Sequence, residues 1–140
     1  MSIDSQNNQE TSHFLGIDFG TSKIGLALAE NVTKIAFAYD TLKNDKSFFQ
    51  KLAGIIKKEN VNKIIIGIPS YVNKESVEYE GEKLGRLIEK AFPEMKIDFQ
   101  NEMFTTKMAE NNLIARGVRG IKNFDDQEAA RIILQSWLDK

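Results

Sequence analysis

The sequence predicts an α/β domain built on a mixed five-stranded sheet, with its first three strands antiparallel and helices on both faces. Three observations predict it. Apolar residues alternate through three successive short segments before residue 44, and a continuous β-branched run, "NKIIIGIP", stands in mid-chain. From Phe48 onward, segments with helical spacing alternate with segments that read as strands.

Each element has its own warrant. Residues 1–12, "MSIDSQNNQETS", lack the basic start and apolar stretch of a secretory signal and read as a disordered lead to a single domain over residues 13–140. Residues 14–20 alternate and run into Thr21 and Ser22, then Lys23 to Ala29 alternate again, which gives two strands joined by a tight turn. "KIAFAYDTL" supplies the third strand. Phe48, Phe49, Leu52, Ile55 and Ile56 recur at helical spacing behind "KNDKS", whose residues suit a helix cap. Residues 62–69 show no alternation, as expected of a central strand covered on both faces, and Pro69 stops it. Val77, Gly81, Leu84, Ile88 and Ala91 mark one face of a second helix that ends near Pro93. "KIDFQNE" is the fifth strand. A short helix through Met108 and Leu113, the loop "RGVRGIKNF" and a final helix from Asp125 or Asp126 to Leu138 complete the chain.

Composition narrows the function. With 140 residues, 41% hydrophobic and 28% charged, the chain suits one globular domain with a real core. No apolar run approaches the roughly 20 residues that cross a bilayer, so no membrane partner is expected. The absence of cysteine excludes disulfides and thiolate metal sites and agrees with a cytoplasmic location. His13 is the only histidine, and a lone imidazole cannot build a metal site. A net charge of -1 leaves a nucleic-acid partner open, because such a partner needs only a local basic surface. Arg116, Arg119 and Lys122 are the candidates for one.

The last helix carries the most chemistry. At about 100° per residue, Asp126 falls in line with Ala130, Ile133 and Trp137, the stripe that must face the sheet. Asp125 lies off that stripe and Glu128 points the opposite way. A carboxylate on a buried face is costly unless a metal ion or basic group compensates it. Helix capping is the competing account, and it fits Asp125 better than Asp126. Asp18 and Glu102 each sit near the carboxyl end of a strand, where side chains and loops converge. A solvated strand end accounts slightly better for Glu102 taken alone. Together the three acids form an all-oxygen set of the kind Mg²⁺ or Mn²⁺ prefers. Two such ions about 4 Å apart can activate a water and stabilise the leaving oxygen of a phosphodiester.

The stretch "FLGIDFGTSKIGLALAE" has a second reading, the phosphate-binding hairpin of an actin-like ATPase, with Thr21, Ser22 and Lys23 on the phosphates. That architecture needs a second lobe and a second glycine-rich hairpin, and neither occurs here.

From Leu15 to Asp139 the chain resembles the YqgF family of RuvX-like proteins, which have an RNase H-like fold and are described as candidate Holliday junction resolvases and pre-16S rRNA nucleases. "GIDFGTSKIGLALAE" is similar to the family's first motif, "IIIGIP" to its central strand, "NEMFTT" to its Asp-Glu-Arg-x-Thr-Thr motif and "DDQEAARIILQSWL" to its closing helix. The resemblance implies Asp18, Glu102 and Asp126 as catalytic and metal-holding acids, with Mg²⁺ or Mn²⁺ as cofactor. It further implies a metal-dependent nuclease on structured nucleic acid, acting at the 5′ end of pre-16S rRNA, with the ribosomal small subunit as a further partner. Resolution of Holliday junction DNA is an alternative, as is a catalytically weak nucleic-acid-binding or ribosome-assembly factor. Thr21, Lys23, Asn73, Lys74, Thr105, Arg116, Arg119 and Lys122 are the expected substrate contacts, although a plain surface loop accounts equally well for Asn73 and Lys74. The chain departs from the family pattern at Asn101, at Met103 in place of the motif arginine, and at Ala29-Glu30 where Ser-Asp is common. Losing that arginine removes a bidentate contact to phosphate or carboxylate.

Overall fold

The computed structural model of the chain describes residues 11–68, 80–101 and 122–140, with side chains in the last stretch from Asp126 onward. The elements are β1 (His13–Phe19), β2 (Lys23–Glu30), β3 (Ala36–Lys43), α1 (Phe48–Lys58), β4 (Val61–Ile68), α2 (Glu80–Ala91), β5 (Lys96–Asn101) and α3 (Lys122–Leu138). The strands form one five-stranded sheet in the order β3-β2-β1-β4-β5. β1–β2 and β2–β3 pair antiparallel, whereas β1–β4 and β4–β5 pair parallel. This is the mixed sheet that alternation in the first three strands and the β-branched run of β4 predict. The expected short helix through Met108 and Leu113 lies outside the described residues.

Strand alternation sorts the core into two layers. Leu15 and Ile17 of β1 join Ile24, Leu26 and Leu28 of β2 and Ile64 and Ile66 of β4 on one face, under α1 and α2. The opposite face carries Ala27 and Ala29 of β2, Ala36 of β3 and Ile65 of β4, which pack on Ala130, Ile133 and Leu134 of α3. Every second residue points to the same side, so the two layers are written into one strand by its period of two. The α3 face is floored by small residues, and the helix therefore sits close to the sheet. A Cβ built on Gly16 would stand 2.7 Å from Leu134 Cβ and 3.1 Å from the Ala130 carbonyl oxygen.

The carboxyl half of α3 is pinned at several points, which fixes its register over the sheet. Trp137 meets Phe14 edge-on at 5.7 Å between centroids, and Lys63 holds its ammonium 4.8 Å from the indole centroid. The indole N–H donates to Asp98 Oδ2 at 2.7 Å. Gln135 accepts from the Ala36 amide at 2.8 Å and donates to the Lys34 carbonyl at 3.3 Å, tying the helix to the β2–β3 turn. Lys34 occupies the left-handed region at φ 58, and its amide donates back to the Glu30 carbonyl.

One boundary differs from expectation. The final helix begins at Lys122, not at Asp125 or Asp126, so the paired aspartates are its fourth and fifth residues. Acidic residues suit the whole first turn of a helix as well as its cap, so "DD" marks the neighbourhood of a start without fixing it. At α1, Ser47 stands at the cap without a side-chain bond to the helix; its amide and hydroxyl both donate to Asp45 Oδ1. Among the described residues no helix is long and apolar enough to cross a membrane.

Candidate acidic site at the carboxyl ends of the strands

Even-numbered residues of β1 face α3: Phe14 meets Trp137, and Gly16 lies under Ala130 and Leu134. Asp18 is the next residue on that face, at the penultimate position of the strand. Its register partner on β2 is Gly25. A Cβ built on Gly25 would overlap the Asp126 carbonyl and stand 3.0 Å from Asp126 Cα, so the α3 backbone rests directly on this glycine. Asp18 and Asp126 are thus neighbours through one glycine, although 108 positions separate them in sequence. A side chain at position 25 would hold the helix off.

Asp126 is half-buried, in line with the buried Ala130 and Ile133 and the partly buried Trp137. Its Cα and carbonyl lie against Gly25 of β2, on the side of α3 that carries the buried Ala130 and Ile133. Glu128 lies on another side of α3 and is committed elsewhere. Its two oxygens accept from Arg131 Nε at 3.0 Å and Nη2 at 2.6 Å, and this bidentate bond raises the guanidinium pKa further. His13 is likewise structural, with Nδ1 2.6 Å from the Glu59 carbonyl oxygen.

The turn after β1 borders the acids. The Gly20 amide donates to the Lys23 carbonyl at 3.1 Å, and a Cβ at position 20 would collide with that same oxygen. Thr21 and Lys23 are exposed on this turn. Asn44 braces it from the end of β3: its side-chain amide donates to the Gly20 carbonyl at 2.8 Å and its backbone amide to the Ser22 carbonyl at 2.9 Å. The sequence reading assigned Asn44 to helix capping and missed this role; asparagine's preference for bonding nearby backbone was the available signal.

Lys122 opens α3, but its side chain lies outside the described residues, as do Glu102, Asn73, Lys74, Thr105, Arg116 and Arg119. Among the described residues no three His, Cys, Asp or Glu side chains form a metal-sized cluster. Asp18 and Asp126 are two of the three expected acids. A 540 Å³ groove between α1 and α2, lined by Ile56, Asn60, Phe92 and Met95, opens at the opposite end of β4 and does not adjoin these acids.

The geometry can be set beside known proteins. Residues 12–140 match the RuvX family, described as Holliday junction resolvase. A protein of Bacteroides thetaiotaomicron named "Putative pre-16S rRNA nuclease" is 31% identical over 134 residues, covering 91% of this chain and 96% of that protein. One of the same name from Staphylococcus aureus is 34% identical over 134 residues, covering 89% and 94%. Among solved structures, the fowlpox virus resolvase in complex with Holliday junction DNA superposes with a TM-score of 0.60 at 15% identity, covering 91% of this chain and 97% of that one. Thermus thermophilus RuvC with a Holliday junction substrate gives 0.57 at 16% identity, covering 90% and 93%. At such identities these structures share the fold, an RNase H-like layout of mixed sheet and flanking helices.

Proposed function

This chain belongs to the RuvX family, and on that premise we propose that it is a metal-dependent nuclease, a phosphodiester hydrolase of the two-metal-ion type acting on structured nucleic acid. The preferred target is the 5′ end of pre-16S rRNA in the cytoplasm, with the ribosomal small subunit as an associated partner. The observation that carries the proposal is the seating of Asp126 on Gly25, directly beside Asp18.

The donor set fits a hard divalent ion. Both placed acids offer oxygen ligands, the kind a hard divalent ion prefers, and the Asp126 backbone rests on the glycine that pairs with Asp18. In this proposal Asp18, Asp126 and Glu102 hold the ion or ions. Bound Mg²⁺ or Mn²⁺ would supply Lewis-acid stabilisation of the phosphodiester and a more acidic water. The chain's own contribution is placement. Gly25 lets the α3 backbone come down beside Asp18, and strand pairing fixes the backbone that carries Asp18. Thr21 and Lys23, exposed on the braced turn that follows Asp18, are proposed to meet a phosphate. Asn73, Lys74, Thr105, Arg116, Arg119 and Lys122 are proposed to extend that contact along the substrate backbone.

A panel of labelled substrates, including pre-16S rRNA ends, single strands and four-way DNA junctions, incubated with Mn²⁺ or Mg²⁺ tests the proposal. Metal-dependent cutting of the rRNA precursor supports it. Cutting of the junction alone moves the assignment to DNA resolution. Binding without cutting in any arm, which Met103 in place of the motif arginine would favour, moves it to an assembly factor.

A further inference from the structure

Strand pairing sets two lysines opposite each other at the end of the sheet that carries Asp18. Lys23 opens β2 and Lys43 closes β3, and the two are register partners. Along β2, Lys23 lies two residues before Gly25, the partner of Asp18, so it shares the face of Gly25, Ala27 and Ala29 that receives α3. Lys43 shares that face as its partner. Lys23 and Asp18 are therefore diagonal neighbours on adjacent strands, a relation that spans roughly 7–8 Å, and one nucleic-acid strand can lie over both. Both lysines are exposed, so the turn of α3 that precedes Asp126 leaves them open to solvent.

Like charges placed directly opposite each other on paired strands repel and destabilise the pair. No acid answers these two. Among the described residues neither ammonium makes a hydrogen bond or an ion pair. Asp45 is the acid nearest Lys43 along the chain, yet its Oδ1 accepts from the Ser47 hydroxyl at 2.7 Å and the Ser47 amide at 2.9 Å. Those two bonds, more than the charge of Lys43, hold the Asp45 carboxyl below the usual carboxylate range. The backbone under both lysines is pinned as well. The Lys23 carbonyl accepts from the Gly20 amide at 3.1 Å and the Lys43 carbonyl from the Asp45 amide at 3.0 Å, while Asn44 ties the end of β3 to Gly20 and Ser22. The two stems are thus rooted at a fixed spacing, and their repulsion has no local relief. An anion between the ammoniums supplies it, and three N–H donors on each suit the oxygens of a phosphate.

We propose that Lys23 and Lys43 together hold one backbone phosphate of the nucleic-acid strand, beside the phosphodiester that lies at Asp18. Lys43 is a substrate-binding residue that no sequence motif marks, and the inference rests on the nuclease reading and deepens it. RNA and DNA offer the same phosphate, so the contact carries no sequence information.

The test measures fluorescence anisotropy of a labelled RNA hairpin and a labelled four-way DNA junction across a salt series, in chelator so that the probes stay intact. The variants are Lys23→Gln, Lys43→Gln, the two combined, Lys43→Arg, and Lys58→Gln as an exposed control at the far end of α1. The combined variant should bind both probes roughly 5-fold more weakly at about 0.1 M salt and lower the slope of log affinity on log salt by about 0.7–0.9, the value of one phosphate. Each single variant should fall between wild type and the combined one. Lys43→Arg and Lys58→Gln should bind like wild type. Melting temperatures of Lys23→Gln and Lys43→Gln should hold or rise, since a like-charge pair is relieved, and this separates lost binding from a folding defect. Where cleavage with Mn²⁺ is followed instead, the same losses should appear in KM. A slope loss of about twice the one-phosphate value in the combined variant would assign two separate phosphates and overturn the shared seat. If wild type binds and Lys43→Gln matches it, Lys43 is a solvated charge and the inference alone fails. If wild type neither binds nor cuts either probe, it fails together with the nuclease reading.

Discussion

Replacing Gly25 by alanine puts a methyl group into the space of the Asp126 carbonyl, 3.0 Å from Asp126 Cα. Both walls of this contact are backbone, so no side chain can rotate away. The start of α3 must lift by about an ångström or more before ordinary contact returns, while Trp137 and Gln135 hold its other end in place. Overpacking a filled core costs about 1–3 kcal/mol, and a backbone-on-backbone clash belongs at the upper end. For a domain of this size that lowers the melting temperature by roughly 5–12 °C. A shift of about 1 Å in a catalytic group can cost on the order of 100-fold in rate, so Mn²⁺-dependent cleavage should fall at least that far. Gly54→Ala is the matched control. Nothing lies within 4 Å of a Cβ at that helical position, so the same change should stabilise by about 0.5–1 kcal/mol. Thermal melts and a nuclease time course on both variants read the opposite signs. If Gly25→Ala melts and cleaves like wild type, α3 is not seated on β2 at Asp126, and the juxtaposition behind the proposed function is gone.

Three further outcomes are expected. Asp18→Asn and Asp126→Asn should each abolish Mn²⁺-dependent cleavage with little loss in melting temperature if both hold the ion as proposed, since asparagine keeps the shape and removes the charge; Asp125→Ala should keep most activity, and the reverse ranking would break the register assigned to α3. Tyr39 is raised from 10.0 to about 12 by burial, helped by its hydroxyl donating to Glu59 at 2.8 Å. A raised folded pKa means stability that is present below pH 10 and lost between pH 10 and about 12, so Tyr39→Phe should flatten the melting profile across that window. The Trp137 indole N–H holds the Asp98 carboxyl below the usual carboxylate range. That contribution is present above about pH 4 and lost as pH falls through the lowered value, so acid melts of Trp137→Phe should show a shallower slope; an unchanged slope removes the coupling.

What was legible in the sequence was local. Alternation in residues 14–20 and 23–29 gave β1 and β2 to within a residue, and the β-branched run gave β4 as the central strand. The period of a helix put Asp126 on the stripe of Ala130 and Ile133, and the Asp126 backbone does lie against Gly25 of the sheet. Roles that depend on strand register were not legible. Lys23 and Lys43 belong to different segments, and nothing local to either reveals that they face each other across β2 and β3. Gly25 was half legible. A glycine inside a strand signals a bulge or a close backbone approach, and the small residues Gly25, Ala27 and Ala29 at alternate positions mark the face where α3 comes down.

The position of the acids follows from connectivity as well as from chemistry. β1 lies between β2 and β4, and the chain leaves β1 toward β2 on one side but leaves β4 toward β5 on the other. Where connections diverge in this way, a crevice opens at the carboxyl ends of the two strands, and Asp18 and Gly67 are the penultimate residues of β1 and β4. α3 runs back over β1, with Trp137 at Phe14 and Asp126 opposite Asp18, so its amino-terminal half arrives at the same edge. A slip of one residue in the β1–β2 pairing would bring Ile24 or Leu26 beside Asp18 in place of Gly25, and the helix could no longer descend. The register that buries Leu15, Ile17 and Leu26 therefore also brings the acids together, and a variant that weakens this pairing should lose the site before it loses the fold.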